Sequence, residues 1–359
     1  MKLGARILKT GIAIILSLFL AQIVDSPAPL FAGIAAIFAV QPTIYRSFLS
    51  IMEQLQGNLV GALVAIIFVL ILGNNIIIVG LAAIIVIIIN LKLKIDNTIA
   101  LSLVTLIAIM ENTGENFIEF AFIRFSTIML GVFSAFIVNL VFLPPKYENK
   151  LYFKISNTVE ELIKWIRLST RHSAEHTLLK QDIERLRTNL LNIEQLYIMY
   201  QEERNYFKKN DLVKSRKLVV FRQMVSVTKK GLETLKRLHR FENELQQMPE
   251  HFQQSIQEQL DCLIYHHEEL MLRFIGKLRQ PDPNDDPTVC LNKKDLFSLF
   301  LAQSTDMANK DDSKLYHSMQ IVSAILDYGE QVEHLETLIT SFQSYHQDEN
   351  ELKIEEMNE

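Results

Sequence analysis

Residues 55–94 read LQGNLVGALVAIIFVLILGNNIIIVGLAAIIVIIINLKLK. Two apolar runs, Leu55–Leu72 and Ile76–Leu91, meet at Gly73-Asn74-Asn75, and no charge interrupts them before Lys92 and Lys94. Each run approaches the ~20 residues a helix needs to cross hydrocarbon. The turn between them lacks a base, and the link that follows has two. This alternation extends outward in both directions. Lys2, Arg6 and Lys9 precede the first apolar run, Asp25–Pro29 carries no base, and the next link carries Arg46. Beyond Lys94, the stretch from Glu111 to Glu119 holds acids only, and Lys146 and Lys150 follow. Cytoplasmic loops retain Lys and Arg whereas translocated loops lack them. Charge and hydropathy therefore predict six crossings of a bacterial plasma membrane, with both termini cytoplasmic.

The other segments are Ile7–Val24, Leu30–Val40, Thr98–Met110 and Phe117–Leu143. The first resembles a signal peptide, but the apolar segments after it still need a membrane, so a retained signal-anchor is expected. The second is short. Gln41-Pro42-Thr43 interrupts it before Ile44–Ile51, and a proline in lipid frees a carbonyl that needs a partner or a water-lined cavity. Gly33-Ile-Ala-Ala-Ile is echoed by Gly80-Leu-Ala-Ala-Ile. This is either an internal repeat of the kind transporters use or chance similarity in Ala/Ile-rich sequence.

Composition changes near Pro144-Pro145. Residues 1–150 hold nine bases and seven acids, whereas residues 151–359 hold 27 bases, 34 acids and all nine histidines. The expected organisation is a transmembrane domain over 1–145 and a cytoplasmic helical domain over 146–359. In the latter, apolar residues recur at steps of three and four (Val159, Leu162, Ile163, Ile166; Leu218, Phe221, Val225; Leu232, Leu235, Leu238), the pattern of amphipathic helices. Breaks are expected at Met248-Pro249 and Pro281–Pro287, with a last pair of helices over about Leu296–Ala308 and Ser313–Tyr345 and a frayed acidic end, Asp348–Glu359. The fold class is all-α: a six-helix transmembrane bundle followed by a cytoplasmic helical bundle.

Several chemistries are excluded or unsupported. The chain has no Walker-type phosphate loop, dinucleotide turn or nucleophile elbow, so no enzyme activity and no cofactor are expected. A net acidic second half argues against nucleic acid as a partner. His172 and His176 have the i, i+4 spacing that can clamp a metal, but no thiol or fixed carboxylate accompanies them, so no metal site is expected. His266-His267-Glu268-Glu269 is expected to be a solvated helix face. Cys262 and Cys290 fall in the half assigned to the reducing cytoplasm and are expected to be thiols.

The candidate site residues are polar groups that lipid would not tolerate. Arg124 lies seven residues into the last apolar segment, among Phe120, Phe122, Ile123 and Phe125. Facing hydrocarbon it would cost roughly 3 kcal/mol, so it is expected inside the bundle or near an edge. Its planar fork of donors matches a carboxylate. It is either an anion site or a partner of Glu119 or Glu115. Glu53, with Gln54, Gln56 and Asn58, either lines an inner vestibule or begins a solvated helix. Gly57 and Gly61 allow close helix approach, within one subunit or across a dimer. Ser102, Thr105, Ser126, Thr127, Ser134 and Asn139 can satisfy themselves on backbone carbonyls or on a neighbouring helix.

The run from Arg124 through Gly131, Ala135 and Asn139 to Pro144 resembles a signature of the aromatic acid exporter family and the wider fusaric-acid-resistance-like group: an Arg, a Gly seven residues on, then Ala, Val and Asn and a closing Pro. Gly57-x-x-x-Gly61 and Gln41-Pro42-Thr43 resemble the family too. So does the plan of a six-helix region followed by a helical C-terminal domain. One departure is that the family often carries an Arg shortly before the first of these glycines, where this chain has Glu53, Gln54 and Gln56. The resemblance implies a multi-pass exporter of small organic anions such as aromatic carboxylic acids, by secondary or channel-like transport, with Arg124, Gln41, Thr43 and Glu53 as candidate substrate contacts. The alternative is a membrane sensor or scaffold whose cytoplasmic bundle binds a partner. The expected partners are the bilayer, the anion and a second copy of the chain in a homodimer.

Overall fold

The computed structural model describes residues 4–111, 117–141, 147–171, 173–202, 211–278, 296–298, 300–302 and 312–346. The described residues are helical apart from turns. They divide into two compact units, residues 1–145 with 202–204, and residues 146–201 with 205–359.

The first unit contains α1 (Gly4–Ile23), α2 (Leu30–Ala39), α3 (Ile44–Leu72), α4 (Ile76–Lys92), a 3-10 turn at Asp96–Thr98, α5 (Ile99–Glu111) and α6 (Phe117–Val141). Two helices, Tyr45–Leu72 and Ile118–Val141, are long and apolar enough to cross a membrane; Ile7–Ile23, Leu30–Ala39 and Ile76–Lys92 are shorter apolar helices. Large apolar side chains face outward, among them Ile76 (87% exposed) and Phe122 (72% exposed). Polar ones are turned inward: Ser17, Gln54, Asn58, Asn90, Thr105 and Asn139 are all buried. Soluble surfaces rarely present contiguous apolar area on this scale, and lipid is the solvent that suits it.

One boundary differs from expectation. The segment with Arg46 is not a link between two spans; it lies in the first turn of α3, which continues unbroken through Glu53 to Leu72. Thr43 begins the helix by accepting a hydrogen bond from the Arg46 backbone N–H through its hydroxyl (3.1 Å), a standard N-cap. Its 29 residues make a rod of about 44 Å, longer than a hydrocarbon layer of ~30 Å. Gly57 and Gly61 survive inside it because α5 presses on them. A Cβ at Gly57 would meet the Thr98 hydroxyl, and one at Gly61 the Ser102 carbonyl oxygen. The Gly57/Gly61 face is therefore filled within the subunit.

The echoed glycines occupy different environments. Gly33 packs on Leu18 and Ile14 of α1, whereas Gly80 has nothing within 4 Å. The closest backbone approach involves Gly131 instead, where a Cβ on α6 would collide with the Ala32 carbonyl of α2.

In the second unit, α7 (Tyr147–Thr170), α9 (Asp211–Arg240), α11 (Glu250–Phe274) and α12 (Asp312–His346) pack together, with α8 (His176–Glu202) and the short α10 (Glu242–Gln246) completing it. The rings of Tyr152, Phe221 and Phe342 each meet that of Phe274 in its core. The His266–Glu269 stretch is not a solvated face. Successive helix residues point about 100° apart, so His267 turns fully inward and shares a hydrogen bond with the Tyr328 hydroxyl (2.9 Å) while His266 meets Glu336 (3.3 Å). Burial holds the His267 imidazole far below its usual range, to about 3. Cys262 is disulfide-bonded, against the expectation of a thiol; that expectation rested on compartment alone, which says nothing of geometry. Cys290, Pro281–Pro287 and Asp348–Glu359 lie outside the described residues.

Candidate functional site

The helix order around α6 fixes where polar groups meet. Ser26, in the α1–α2 turn, is hydrogen-bonded to Thr127 of α6 (2.7 Å), and Lys9 near the start of α1 donates to the Asn139 carboxamide oxygen (3.1 Å). So α1 runs antiparallel to α6. Phe31 and Ala32 of α2 lie against Arg124 and Gly131, and Gln41 lies against Asn139, so α2 runs with α6.

Arg124 is 5% exposed. Its guanidinium lies over the Phe31 ring, 2.9 Å from the centroid, a cation–π placement. Its Nε is buried without a hydrogen-bond partner, and it makes no ion pair among the described residues. Glu119, a sequence candidate for its partner, is exposed in the first turn of α6; Glu115 lies outside the described residues. The carboxylate that acts on Arg124 electrostatically is Glu111, exposed at the end of α5. A buried guanidinium normally carries an acid beside it. Here the aromatic face takes part of that role, and the donor fork keeps capacity for an anion.

At the other end of α6 the break at Pro42 is resolved by Asn139. Its Nδ2 donates to the carbonyls of Gln41 (3.0 Å) and Thr43 (3.3 Å), while its oxygen accepts from Lys9. The Gln41 carbonyl lies in the break between α2 and α3, where a buried acceptor needs a partner, and the Thr43 carbonyl also accepts the Ser47 backbone N–H (3.0 Å). Lys9, expected as a loop charge, is 9% exposed because α1 already begins at Gly4. Among the described residues of the first unit, the buried ionisable ones are Lys9 and Arg124, and both are cations.

The four sequence candidates are thus not gathered at one point. Fifteen residues of helix separate the level of Arg124 from that of Gln41 and Thr43 at Asn139, about 22 Å. The Thr43 hydroxyl is occupied as the α3 cap. Glu53 is half-buried one turn before Gly57. A second polar locus lies on α3, α4 and α5. Thr105 donates to the Asn58 oxygen (2.5 Å), leaving Asn58 Nδ2 and both carboxamide atoms of the fully buried Asn90 without partners. The remaining hydroxyls bond backward along their own helices, Ser102 to Thr98, Thr127 to Ile123 and Ser134 to Leu130, as sequence reasoning anticipates. It missed Lys9, Phe31 and Asn90, and the link of Lys9 to Asn139. The available signal was polar side chains recurring at hydrocarbon depth.

Comparison with known proteins gives two overlapping family matches. Residues 1–142 match aromatic acid exporter family member 1, and residues 98–335 match the fusaric acid resistance protein family. Among individual relatives, the chain is 53% identical over 359 residues to the UPF0421 protein YgaE of Bacillus subtilis (strain 168), covering 99% of this chain and 100% of that one. It is 29% identical over 164 residues to the UPF0421 protein OB2406 of Oceanobacillus iheyensis, covering 46% and 47%. A UPF0421 protein of Staphylococcus epidermidis (strain ATCC 12228 / FDA PCI 1200) is 26% identical over 216 residues, covering 58% and 65%.

Proposed function

Because this chain belongs to the fusaric acid resistance protein family and its first part matches an aromatic acid exporter, we propose that it exports small organic anions, aromatic carboxylic acids foremost, across the plasma membrane. The helices of residues 1–145 form the multi-pass membrane domain, both termini are cytoplasmic, and the helical domain that follows lies in the cytoplasm.

The observation that supports this most directly is Arg124, a buried guanidinium with no acidic partner in contact among the described residues. A carboxylate entering there exchanges its water for a charge-assisted, two-pronged hydrogen bond. An aromatic carboxylate also brings a ring to the apolar surroundings of Phe31 and Phe125. Lys9 near the far end of α6 carries the same sign, so an anion meets favourable potential along the α1–α2–α6 face. The partnerless amides of Asn58 and Asn90 leave further hydrogen-bonding capacity inside the unit. The short α2 and its proline break are features that mark substrate paths in other transporters. The sequence carries no nucleotide-hydrolysis motif, and the membrane potential supplies the drive: one anion leaving down 100 mV releases about 2.3 kcal/mol.

The test is efflux from proteoliposomes loaded with aromatic carboxylates under an imposed potential. Arg124→Gln should abolish efflux while the protein keeps its folded, monodisperse state. Arg124→Lys, which keeps the charge and loses the planar fork, should retain part of the rate. A normal rate in Arg124→Gln sinks the anion-site assignment. An absence of efflux from the parent protein across the whole acid panel would favour the sensor or scaffold.

A further inference from the structure

We propose that His176, His239 and Glu242 form a binding site for one divalent transition-metal ion of the zinc class, independent of the transport assignment. The three residues are remote in sequence and come from three element ends. His176 opens α8, His239 lies in the last turn of α9, and Glu242 opens α10. Each can offer a ligand atom, and these atoms all lie within 4.8 Å of one another.

The details suit an ion better than they suit an ordinary surface cluster. The two imidazole rings face each other with centroids 4.1 Å apart and planes at 43°, a tight juxtaposition for two groups that would repel if both were protonated. His239 Nδ1 is fully buried and has no hydrogen-bond partner, although a buried ring nitrogen ordinarily finds one. A metal ion supplies what that nitrogen lacks. Burial foremost, then the neighbouring His176 and Lys180, hold His239 below its usual protonation range against the opposing pull of Glu242.

Zinc bonds of about 2.0–2.2 Å place tetrahedral ligands roughly 3.3 Å apart. Closing from 4.8 Å needs shifts of the order of an ångström per side chain, and His176 is exposed and free to make one. Two imidazoles and one carboxylate select Zn²⁺, Co²⁺ or Ni²⁺ over Ca²⁺ and Mg²⁺, which favour all-oxygen shells. Three protein ligands leave one position for water. The bound ion would fasten the start of α8 to the junction of α9 and α10. The i, i+4 pair His172–His176 suggested by the sequence shares one ligand with this site and differs in the rest; His172 lies outside the described residues.

The experiment uses the full-length protein in detergent, purified without a histidine tag, stripped with chelator and titrated with Zn²⁺ by calorimetry. Co²⁺ absorption reports coordination geometry, and the thermal midpoint provides a second readout. One equivalent should bind and raise the midpoint. His176→Ala, His239→Ala and Glu242→Gln should each weaken binding at least about 10-fold, the loss that even outer-sphere changes cause. His172→Ala and the exposed His334→Ala should leave binding unchanged. Circular dichroism checks folding of every variant; if His239→Ala does not fold, the exposed His176→Ala and Glu242→Gln decide the matter. Absence of saturable Zn²⁺ binding tighter than about 0.1 mM overturns the proposal. So does binding that His172→Ala abolishes and Glu242→Gln leaves intact.

Discussion

Asn139 is the residue whose loss should damage the membrane unit most per atom removed. Its carboxamide is shared among three chain segments: Lys9 of α1 donates to it, and it donates to the carbonyls on both sides of Pro42. Asn139→Leu keeps the number and branching of side-chain heavy atoms and deletes all three bonds. The bond to the Lys9 ammonium is charge-assisted and contributes about 1.5–3 kcal/mol. The two amide–carbonyl bonds contribute about 0.6 kcal/mol each by the average for polar contacts between membrane helices. Asn139→Leu should therefore destabilise the protein by about 3–4 kcal/mol. The sharper expectation concerns coupling. Lys9→Met removes the charge that Asn139→Leu strands, and replacing both partners by apolar groups is close to neutral. The double variant should recover about 1.5–3 kcal/mol relative to the sum of the singles. Unfolding in mixed micelles, followed by circular dichroism against rising SDS, measures all four corners of the cycle. A single Asn139→Leu variant within about 0.5 kcal/mol of the parent, or a cycle without coupling, would refute the idea that this amide holds the broken helix.

The two glycines of α4 and α6 should respond in opposite directions. Gly131→Ala drives a methyl into the Ala32 carbonyl and should cost about 1–3 kcal/mol, whereas Gly80→Ala meets open space and should gain up to about 1 kcal/mol of helix propensity; thermal midpoints by fluorescence-detected size exclusion check both. In the second unit, His267 is neutral in the folded state down to about pH 3 but takes up a proton near 6.5 when unfolded. The unfolded chain then binds more protons between those values, so stability is fully present above about 6.5 and falls with acid, by at most about 1.4 kcal/mol per pH unit. His267→Phe should flatten the acid limb of the midpoint-versus-pH curve between 6.5 and 4.5, and an unchanged limb would exclude His267 as its source.

Much of this was legible in the chain because hydrocarbon and water impose simple patterns. Arg124 announced itself as an arginine among phenylalanines, and the hydroxyls at Ser102, Thr127 and Ser134 could be assigned to their own helices on local geometry alone. Periodicity likewise located α7, α9 and α12. What stayed hidden depends on separation along the chain. The polar residues from Arg46 to Asn58 look like a link in hydropathy, yet nothing there breaks a helix once Thr43 caps it, so α3 runs on. Asn139 as the partner of the Pro42 break is a contact across almost a hundred positions. His176 has its nearest sequence neighbour in His172 but meets His239 and Glu242 in space, 63 and 66 positions on, a convergence no spacing rule contains. The inward turn of His267 was in principle visible, since adjacent helix residues cannot share a face.

The sign shared by Lys9 and Arg124 bears on a hazard that any exit route through an energised membrane must meet. A passage wide enough for a benzene ring is wide enough for hydrated sodium or a chain of water carrying protons, and such a leak would discharge the gradient the cell lives on. A monovalent cation brought to about 4 Å from a guanidinium meets roughly 4 kcal/mol of repulsion at an effective dielectric of 20, nearly a thousandfold disadvantage in occupancy. With no buried carboxylate among the described residues of the first unit to offset it, that barrier would stand while such a route is open. In the proposed organic-anion exporter, the same pair of charges would act as electrical insulation, letting the cell discard one ion without short-circuiting the rest.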